Sequence, residues 1–396
     1  MTKKTIRNIA VDDKTLLVRV DFNVPIEGSD VADDTRIRET LPTIRYALER
    51  RAKVVLMSHL GRPKGKPNPS MTLAPVARHL RSLLSAKVVF CDECAGPKAE
   101  AAVRDAEAGS VVLLENLRFH PEEEANDATF ARALAALGEI WVNDAFGTAH
   151  RAHASTAGIA PFVRERVAGL LMEKELDILG GAMHRPEHPF VAIIGGAKIS
   201  GKIDVITSLL PRVDRLLIGG GMACTFFRAK GWEIGNSLLE EDRVAVAKAI
   251  LDGAGSEKIL LPVDGLVAEE VDNEAPSRVV LANAIPRQMR FLDIGPQTIR
   301  SFDAATAGAR TILWNGPMGV FEMPSFARGT RGIAEALASA TARGATTIVG
   351  GGDSARAIAE LKLGDKVTHV STGGGATLEF LEGKTLPGVA ALDDAS

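Results

Sequence analysis

Three contiguous glycines, an acid and a hydroxyl (Gly350-Gly351-Gly352-Asp353-Ser354) close the apolar run Thr347-Ile348-Val349 and open a helical pattern through Ala355 and Ile358. A glycine turn between a strand and a helix lets backbone come close to a phosphate. No Cβ blocks the approach, and the free N–H groups of the first helical turn attract the anion. Asp353 adds a carboxylate where a phosphate-bound Mg²⁺ is expected to sit. One such turn is ordinary in an α/β protein, but this chain repeats it in VAIIGGAKISGK (191–202), LLIGGGMACT (216–225) and VSTGGGATL (370–378). Recurrence points to a shared ligand, because the strand C-termini of an open parallel sheet face one crevice. Gly196 to Lys202 also fits G-x-x-x-x-G-K, yet Ile203 stands where a phosphate loop needs Ser or Thr for its metal. The metal ligand is therefore expected elsewhere, at Asp353.

The first half of the chain supplies side chains in place of glycines. Leu16 to Val20 ends in Asp21-Phe22-Asn23-Val24-Pro25, and Lys53 to Met57 ends in Ser58-His59-Leu60-Gly61-Arg62-Pro63. Val111 to Leu114 runs into Glu115-Asn116-Leu117-Arg118, and Glu139 to Val142 into Asn143-Asp144 and then His150-Arg151. Asp34 and Thr35 look like a helix cap, and Ile37, Leu41, Ile44 and Leu48 recur at helical spacing behind it. Arg36 falls in the first turn of that helix, where the dipole disfavours a cation by roughly 0.3–1 kcal/mol. Such an arginine is placed to wait for an anion. Arg36, Arg62, Arg118, Arg151 and His59 share one structural address, and arginine grips phosphate and carboxylate bidentately.

The elements that must hold these groups alternate strand and helix. In the second half the strands are expected at Phe190–Ile194, Arg215–Ile218, Lys258–Leu261, Thr311–Trp314, Thr346–Val349 and Lys366–Val370. This is an α/β pattern with parallel sheets. At 396 residues the chain is long enough for two domains. Ala168 to Met183 reads as an amphipathic interdomain helix that the pair Gly180-Gly181 ends, with a hinge near Pro186.

Net charge is −3 without a long basic run, so no nucleic-acid partner is expected. The N-terminus lacks an apolar signal core and no run is long enough to cross a bilayer, so no membrane partner is expected and a cytoplasmic location is. No exposed apolar stripe demands a partner, and a monomer is expected. The chain has three cysteines, and Cys91-Asp92-Glu93-Cys94 lacks the second ligand pair of a zinc site. Buried or half-buried thiols are the expectation there. His150 with His153, and His184 with His188, have near-helical spacing but no carboxylate or cysteine to complete a metal set. Glu122 to Glu124 reads as the solvated start of a helix. No G-x-S-x-G nucleophile elbow is present.

The motifs, in order, resemble the phosphoglycerate kinase family over nearly the whole chain: VRVDFNVP (18–25), SHLGRP (58–63), ENLRFHPEEE (115–124), NDAFGTAHRAH (143–153), GGAKISGKI (195–203), GGGMACTF (219–226), WNGPMGVFE (314–322), GGGDS (350–354) and STGGGATLEFLEGK (371–384). The resemblance implies two Rossmann-like three-layer domains. Residues 1–167 would bind 3-phosphoglycerate, 168–185 would be the interdomain helix and hinge, 186–375 would bind MgATP or MgADP, and 376–396 would return to the first domain. By motif position Asp21, Phe22, Asn23, Arg36, His59, Leu60, Gly61, Arg62, Arg118 and Arg151 would hold the phosphoglycerate. Gly195, Gly196, Ala197, Lys198 and Lys202 would face the nucleotide phosphates. Gly219, Gly220, Asn315, Pro317 and Glu322 would line the nucleoside. Gly350, Gly351 and Gly352 would cradle phosphate with Ser354, Asp353 would bind Mg²⁺, and Gly373, Gly374 and Gly375 would offer amides to the transferred group. Phe291 departs from the family, many of whose members have glycine before Leu-Asp-Ile-Gly-Pro near the adenine pocket.

The reaction implied is the glycolytic and gluconeogenic one, 1,3-bisphosphoglycerate + ADP ⇌ 3-phosphoglycerate + ATP. Both attacking oxygens are ionised at neutral pH, which agrees with the lack of an obvious catalytic dyad. Arg36, Lys198, Lys202, Gly373 and Gly374 would neutralise charge on the transferring group, and domain closure would exclude water. Two alternatives remain: a kinase phosphorylating another carboxylate, and a nucleotide-binding scaffold without turnover. An NAD-dependent oxidoreductase would instead want G-x-G-x-x-G after the first strand.

Overall fold

Apolar runs of four or five residues become the central strands of two parallel sheets. Strands buried on both faces need no polar alternation, and several here are buried at every position. The computed structural model describes residues 2–395. The chain divides into two units, Met1–Asp177 with Thr385–Ser396, and Ile178–Lys384.

The first unit runs β1 (Thr15–Arg19), a hairpin of β2 (Ile26–Glu27) and β3 (Asp30–Val31), α1 (Thr35–Glu49), β4 (Lys53–Met57), α2 (Ala74–Leu83), β5 (Val88–Cys91), α3 (Pro97–Asp105), β6 (Val111–Leu114), α4 (Pro121–Glu124), α5 (Ala128–Ala135), β7 (Ile140–Asn143) and β8 (Glu165–Ala168). Its sheet has the order β5-β6-β4-β1-β7-β8 and is parallel throughout. Helix α1 buries Ile37, Leu41 and Ile44 against this sheet, as its spacing predicts. Asp34 occupies the N-cap position but makes no capping bond. Its carboxylate goes instead to Arg38 Nε at 2.8 Å and His79 Nε2 at 2.8 Å.

Helix α6 (Leu170–His184) carries the chain across the division at Asp177/Ile178. Gly180-Gly181 does not end it. Neither glycine has a positive φ, and burial of Ala182 and Met183 holds the helix through a pair that costs about 1 kcal/mol per glycine relative to alanine. At its start, Asp144 beyond β7 accepts the N–H groups of Leu171 at 2.9 Å and Met172 at 3.1 Å. Burial pushes that carboxyl up to about 6, although the bonds it accepts oppose the shift.

The second unit continues with β9 (Phe190–Ile194), α7 (Ile203–Leu209), β10 (Arg215–Ile218), α8 (Ala223–Ala229), α9 (Val244–Asp252), β11 (Ile259–Leu260), β12 (Asp264–Ala268), β13 (Ser277–Leu281), β14 (Arg290–Ile294), α10 (Pro296–Thr306), β15 (Thr311–Asn315), α11 (Arg328–Ala342), β16 (Thr346–Gly350), α12 (Gly352–Glu360), β17 (His369–Val370) and α13 (Gly375–Leu381). The order β11-β10-β9-β15-β16-β17 is again parallel. The edge strands β11 and β17 are shorter than the runs 258–261 and 366–370 suggested. A third sheet, β13-β12-β14, is antiparallel and lies outside the expected strands; four of the five β13 residues are exposed although Val279-Val280-Leu281 is apolar.

The second unit ends at Lys384, and Thr385–Ser396 belong to the first. These last residues add to the first unit, where Asn143 Nδ2 donates to the Gly388 carbonyl at 3.0 Å and Arg166 Nε to Asp393 at 2.8 Å. Among the described residues, no helix is long and apolar enough to cross a membrane.

Candidate functional site

The C-terminal ends of β1, β4, β6 and β7, with the first turn of α1, bring Arg19, Arg36, His59, Arg118 and Arg151 together. Arg36, on the first turn of α1, donates to Asp21 Oδ2 at 2.7 Å. The anion it awaits is met first within the protein. Asp21 is buried, and burial raises its carboxyl, but Arg36, His59, Arg19 and the Asn23 N–H outweigh that and hold it low. Asn23 Oδ1 accepts the Gly61 N–H at 2.8 Å, and Arg118 donates to the Gly61 carbonyl at 2.8 Å. Two side chains thus fix the loop after β4 from opposite sides. Arg118 also lies 3.2 Å from Glu124, and Arg151 Nε donates to His150 Nε2 at 3.1 Å. Burial, then the fields of Arg118, Arg19, Arg151 and His150, push His153 down to about 4, so these five groups share one region.

Three of the expected contact residues stand apart. Phe22 and Leu60 are core residues, and the Phe22 N–H is taken by Ser58 Oγ at 2.8 Å. Both backbone polar groups of Leu60 are taken by Asn116, at 3.1 and 2.7 Å. These two shape the loops rather than present polar atoms. Arg62 is exposed and makes no hydrogen bond or ion pair with the described residues.

Beneath the cluster lies a network that the sequence did not disclose. Arg19, only 1% exposed, donates through Nε to Ser155 Oγ at 2.8 Å and through NH1 to the Val20 carbonyl. Ser155 passes its own proton to Glu123 Oε1 at 2.6 Å, and Glu123 Oε2 accepts the Ser155 N–H at 3.0 Å. Glu123 is fully buried, not solvated as the Glu122–Glu124 run suggested. It is the counter-charge of a buried guanidinium, reached through a hydroxyl. Burial raises its carboxyl, with Arg19 and Ser155 opposing. The thiols of Cys91 and Cys94 are buried and burial raises both, as the sequence led one to expect of structural cysteines.

In the second unit the glycine loops interlock. A Cβ on Gly195 would come within 2.3 Å of the Pro317 carbonyl oxygen, and one on Gly219 within 2.4 Å of Met318 Sδ. A Cβ on Gly220 would meet the Gly196 amide nitrogen at 2.6 Å, where φ is also +69°. Much of the glycine pattern read as a ligand cradle therefore serves loop-to-loop packing. Open space remains at Gly196, Gly352 and Gly374, where an added Cβ meets nothing within 4 Å. Gly350 and Gly351 face Thr377 and Asn315.

Charge gathers around that open space. Lys202 donates to Asn315 Oδ1, and burial brings its ammonium down to about 8 against the pull of Asp353 and Glu382. Asn315 is fully buried, and its Nδ2 has no hydrogen-bond partner. Asp353 is exposed on the first turn of α12. Ala197, Lys198 and Glu322 are exposed as well, and Pro317 is buried. Ser354 is buried and accepts the Gly316 N–H at 2.6 Å, so it braces the Pro317 loop. The Gly373 N–H goes to Ser371 Oγ at 3.2 Å, while Gly374 and Gly375 begin α13, whose first amides have no partner within the helix. Phe291 is buried with its ring edge-on to Phe227, centroids 5.6 Å apart, and over Gly265. The missing side chain at Gly265 makes room for that ring.

Among the described residues no group of three or more His, Cys, Asp or Glu could hold a metal by itself. An exposed carboxylate at a glycine-lined helix start suits Mg²⁺, which keeps water and phosphate oxygens as its other ligands.

The family model described as "Phosphoglycerate kinase" matches residues 6–384. The phosphoglycerate kinases of Chlorobaculum tepidum and Moorella thermoacetica are 56% and 54% identical to this chain, and each alignment covers 100% of both proteins. Solved phosphoglycerate kinases from Coxiella burnetii and Pyrococcus horikoshii superpose with TM-scores of 0.88 and 0.84, at 40% and 34% identity, covering 98% of each chain. On sequence and on fold alike, the chain belongs to the phosphoglycerate kinase family.

Proposed function

We infer that the chain performs its family's reaction, reversible phosphoryl transfer from 1,3-bisphosphoglycerate to ADP in glycolysis, by in-line transfer without a covalent intermediate. The observation that carries the mechanism is the pairing of two kinds of anion site. One is a cluster of arginines in the first unit, Arg36 on α1 with Arg118 and Arg151 beyond β6 and β7. The other is a set of glycine-lined helix starts around Lys202 in the second.

Asp21, Asn23, Arg36, His59, Arg62, Arg118 and Arg151 bind 3-phosphoglycerate in this reading. Lys198 and Lys202, with the amides near Gly196, hold the nucleotide phosphates, and Glu322 reaches the ribose. Gly374 and Gly375 donate to the transferring group. Asp353 is the residue that would hold Mg²⁺, which when bound neutralises phosphate charge. Both attacking oxygens, a carboxylate and a β-phosphate oxygen, are already ionised, so no side chain must remove a proton. The chain's own work is to position the two anions and offset their charge. Cytoplasmic residence and a monomeric state belong to the same reading, as suits a glycolytic enzyme.

The test is ATP consumption with purified protein, Mg²⁺ and 3-phosphoglycerate, coupled to removal of the acyl phosphate. Arg36→Ala, checked for folding by circular dichroism, is expected to lose about a hundredfold in rate, on the order of 3 kcal/mol. Absence of wild-type turnover with ADP still bound would favour the scaffold. Full turnover in the folded variant would remove Arg36 from the mechanism.

A further inference from the structure

We propose that buried Arg19 is a positioning residue that fixes His59 as a neutral imidazole with its proton on Nε2. Arg19 NH2 lies 3.4 Å from His59 Nδ1. A guanidinium has only donors and keeps its charge, so the nitrogen it faces must offer a lone pair. Asp21 Oδ1 competes for the same nitrogen from 3.9 Å and would favour a proton there. Arg19 prevails for two reasons. It is nearer, and Asp21 is already engaged by Arg36 at 2.7 Å and by the Asn23 N–H at 3.2 Å.

The guanidinium cannot swing away. Ser155 Oγ and the Val20 carbonyl hold its Nε and NH1, and Ser155 is tied in turn to Glu123. His59 is 4% exposed, and its Nε2 makes no hydrogen bond with any described residue. That nitrogen is therefore the ring's remaining contact for a ligand, and it carries the hydrogen. The groups facing the ring are one carboxylate, Asp21, and three guanidiniums, Arg19, Arg118 and Arg36. Burial is the largest influence and lowers the ring, Asp21 opposes it, and the three guanidiniums lower it further, so the ring stays uncharged well below the usual histidine range. The site thus holds a donor of fixed direction that adds no titrating charge.

This inference rests on the reading of His59 as a substrate ligand, and nuclear magnetic resonance separates the two claims. Long-range proton–nitrogen spectra of the ¹⁵N-labelled full chain, with His59 assigned by its loss in His59→Gln, report the tautomer directly. The wild type is expected to show an unprotonated Nδ1 and a protonated Nε2 at neutral pH. An Nδ1–H tautomer, a mixture, or an imidazolium at neutral pH overturns the proposal. Arg19→Met is expected to move the proton to Nδ1, facing Asp21, and to raise KM for 3-phosphoglycerate about tenfold without changing KM for ATP. A folded Arg19→Met that keeps the Nε2–H form also overturns it. If that variant does not fold, the wild-type spectrum decides alone. Finally, 3-phosphoglycerate is expected to shift the His59 resonances. An Nε2–H tautomer that ignores the substrate leaves Arg19 its role and removes His59 from the binding site.

Discussion

The two units carry parallel sheets of the same size and build their sites in opposite ways. In the first, buried polar and charged side chains fix one another: Arg19, Asp21, His59 and Arg118 are each under a tenth exposed. In the second, backbone fixes backbone, and the exposed Lys198 and Asp353 stand on loops that glycine lets nest together. A side-chain network tolerates change in its backbone neighbours but not in its charges. A nested backbone tolerates change in charge but not in volume. That difference can be broken experimentally at several points.

The largest effect is expected from Gly220→Ala. The new Cβ meets the Gly196 backbone at 2.6 Å and the residue is held at φ +69°, so overpacking and backbone strain add to on the order of 4 kcal/mol. Gly352→Ala, with nothing within 4 Å of its Cβ, is expected to unfold like the wild type. Urea unfolding followed by tryptophan fluorescence measures both. Equal midpoints for the two variants would mean the loops do not interlock.

Asp144→Asn tests the buried-charge side of the comparison. The folded carboxyl is raised to about 6 by burial, above its unfolded value near 3.9. A raised acid favours folding below its unfolded pKa, and that advantage is lost as pH rises through about 6. Asparagine still accepts the Leu171 and Met172 N–H groups without the charge. The variant is expected to match the wild type near pH 4 and to exceed its stability by on the order of 3 kcal/mol at pH 8. A gain that does not change with pH would show that Asp144 is not the titrating group.

The smallest effect lies in the pH profile of the nucleotide site. His59 is held low and His153 is brought down to about 4, so neither of these histidines gains charge near neutral pH. Lys202, lowered to about 8, does titrate, so kcat/KM for ADP is expected to fall above that pH. Lys202→Arg keeps its charge and is expected to flatten the decline while changing the rate at pH 7 by less than about tenfold. An unaltered decline would place the titrating group elsewhere.

Strands such as Lys53–Met57 and Phe190–Ile194 could be read from the sequence to the residue, because burial on both faces makes a continuous apolar run. The sheet of β12, β13 and β14 could not, since its antiparallel pairing breaks the strand–helix alternation that marks the two parallel sheets. The glycine loops and the strand-end arginines were legible as local patterns. Arg19 was not: it sits inside an apolar strand, and its Ser155 partner lies 136 positions away. Glu123 was hidden between two exposed glutamates, and sequence alone does not say which of three neighbours turns inward. Gly180-Gly181 misled, because local propensity is weaker than the burial that follows it.

The return of Thr385–Ser396 to the first unit has a consequence for biosynthesis. The chain is made from its N-terminus, and units fold as they emerge. Yet the edge of the first unit needs the final residues: Lys4 N–H donates to the Asp393 carbonyl at 2.8 Å, Asp393 N–H to the Arg166 carbonyl at 2.9 Å, and Lys3 pairs with Asp394 at 2.7 Å. The unit synthesised first is therefore finished last. The second unit must be made before the opening segment can be sealed, so a nascent protein stalled anywhere in the second unit carries an unsealed first one.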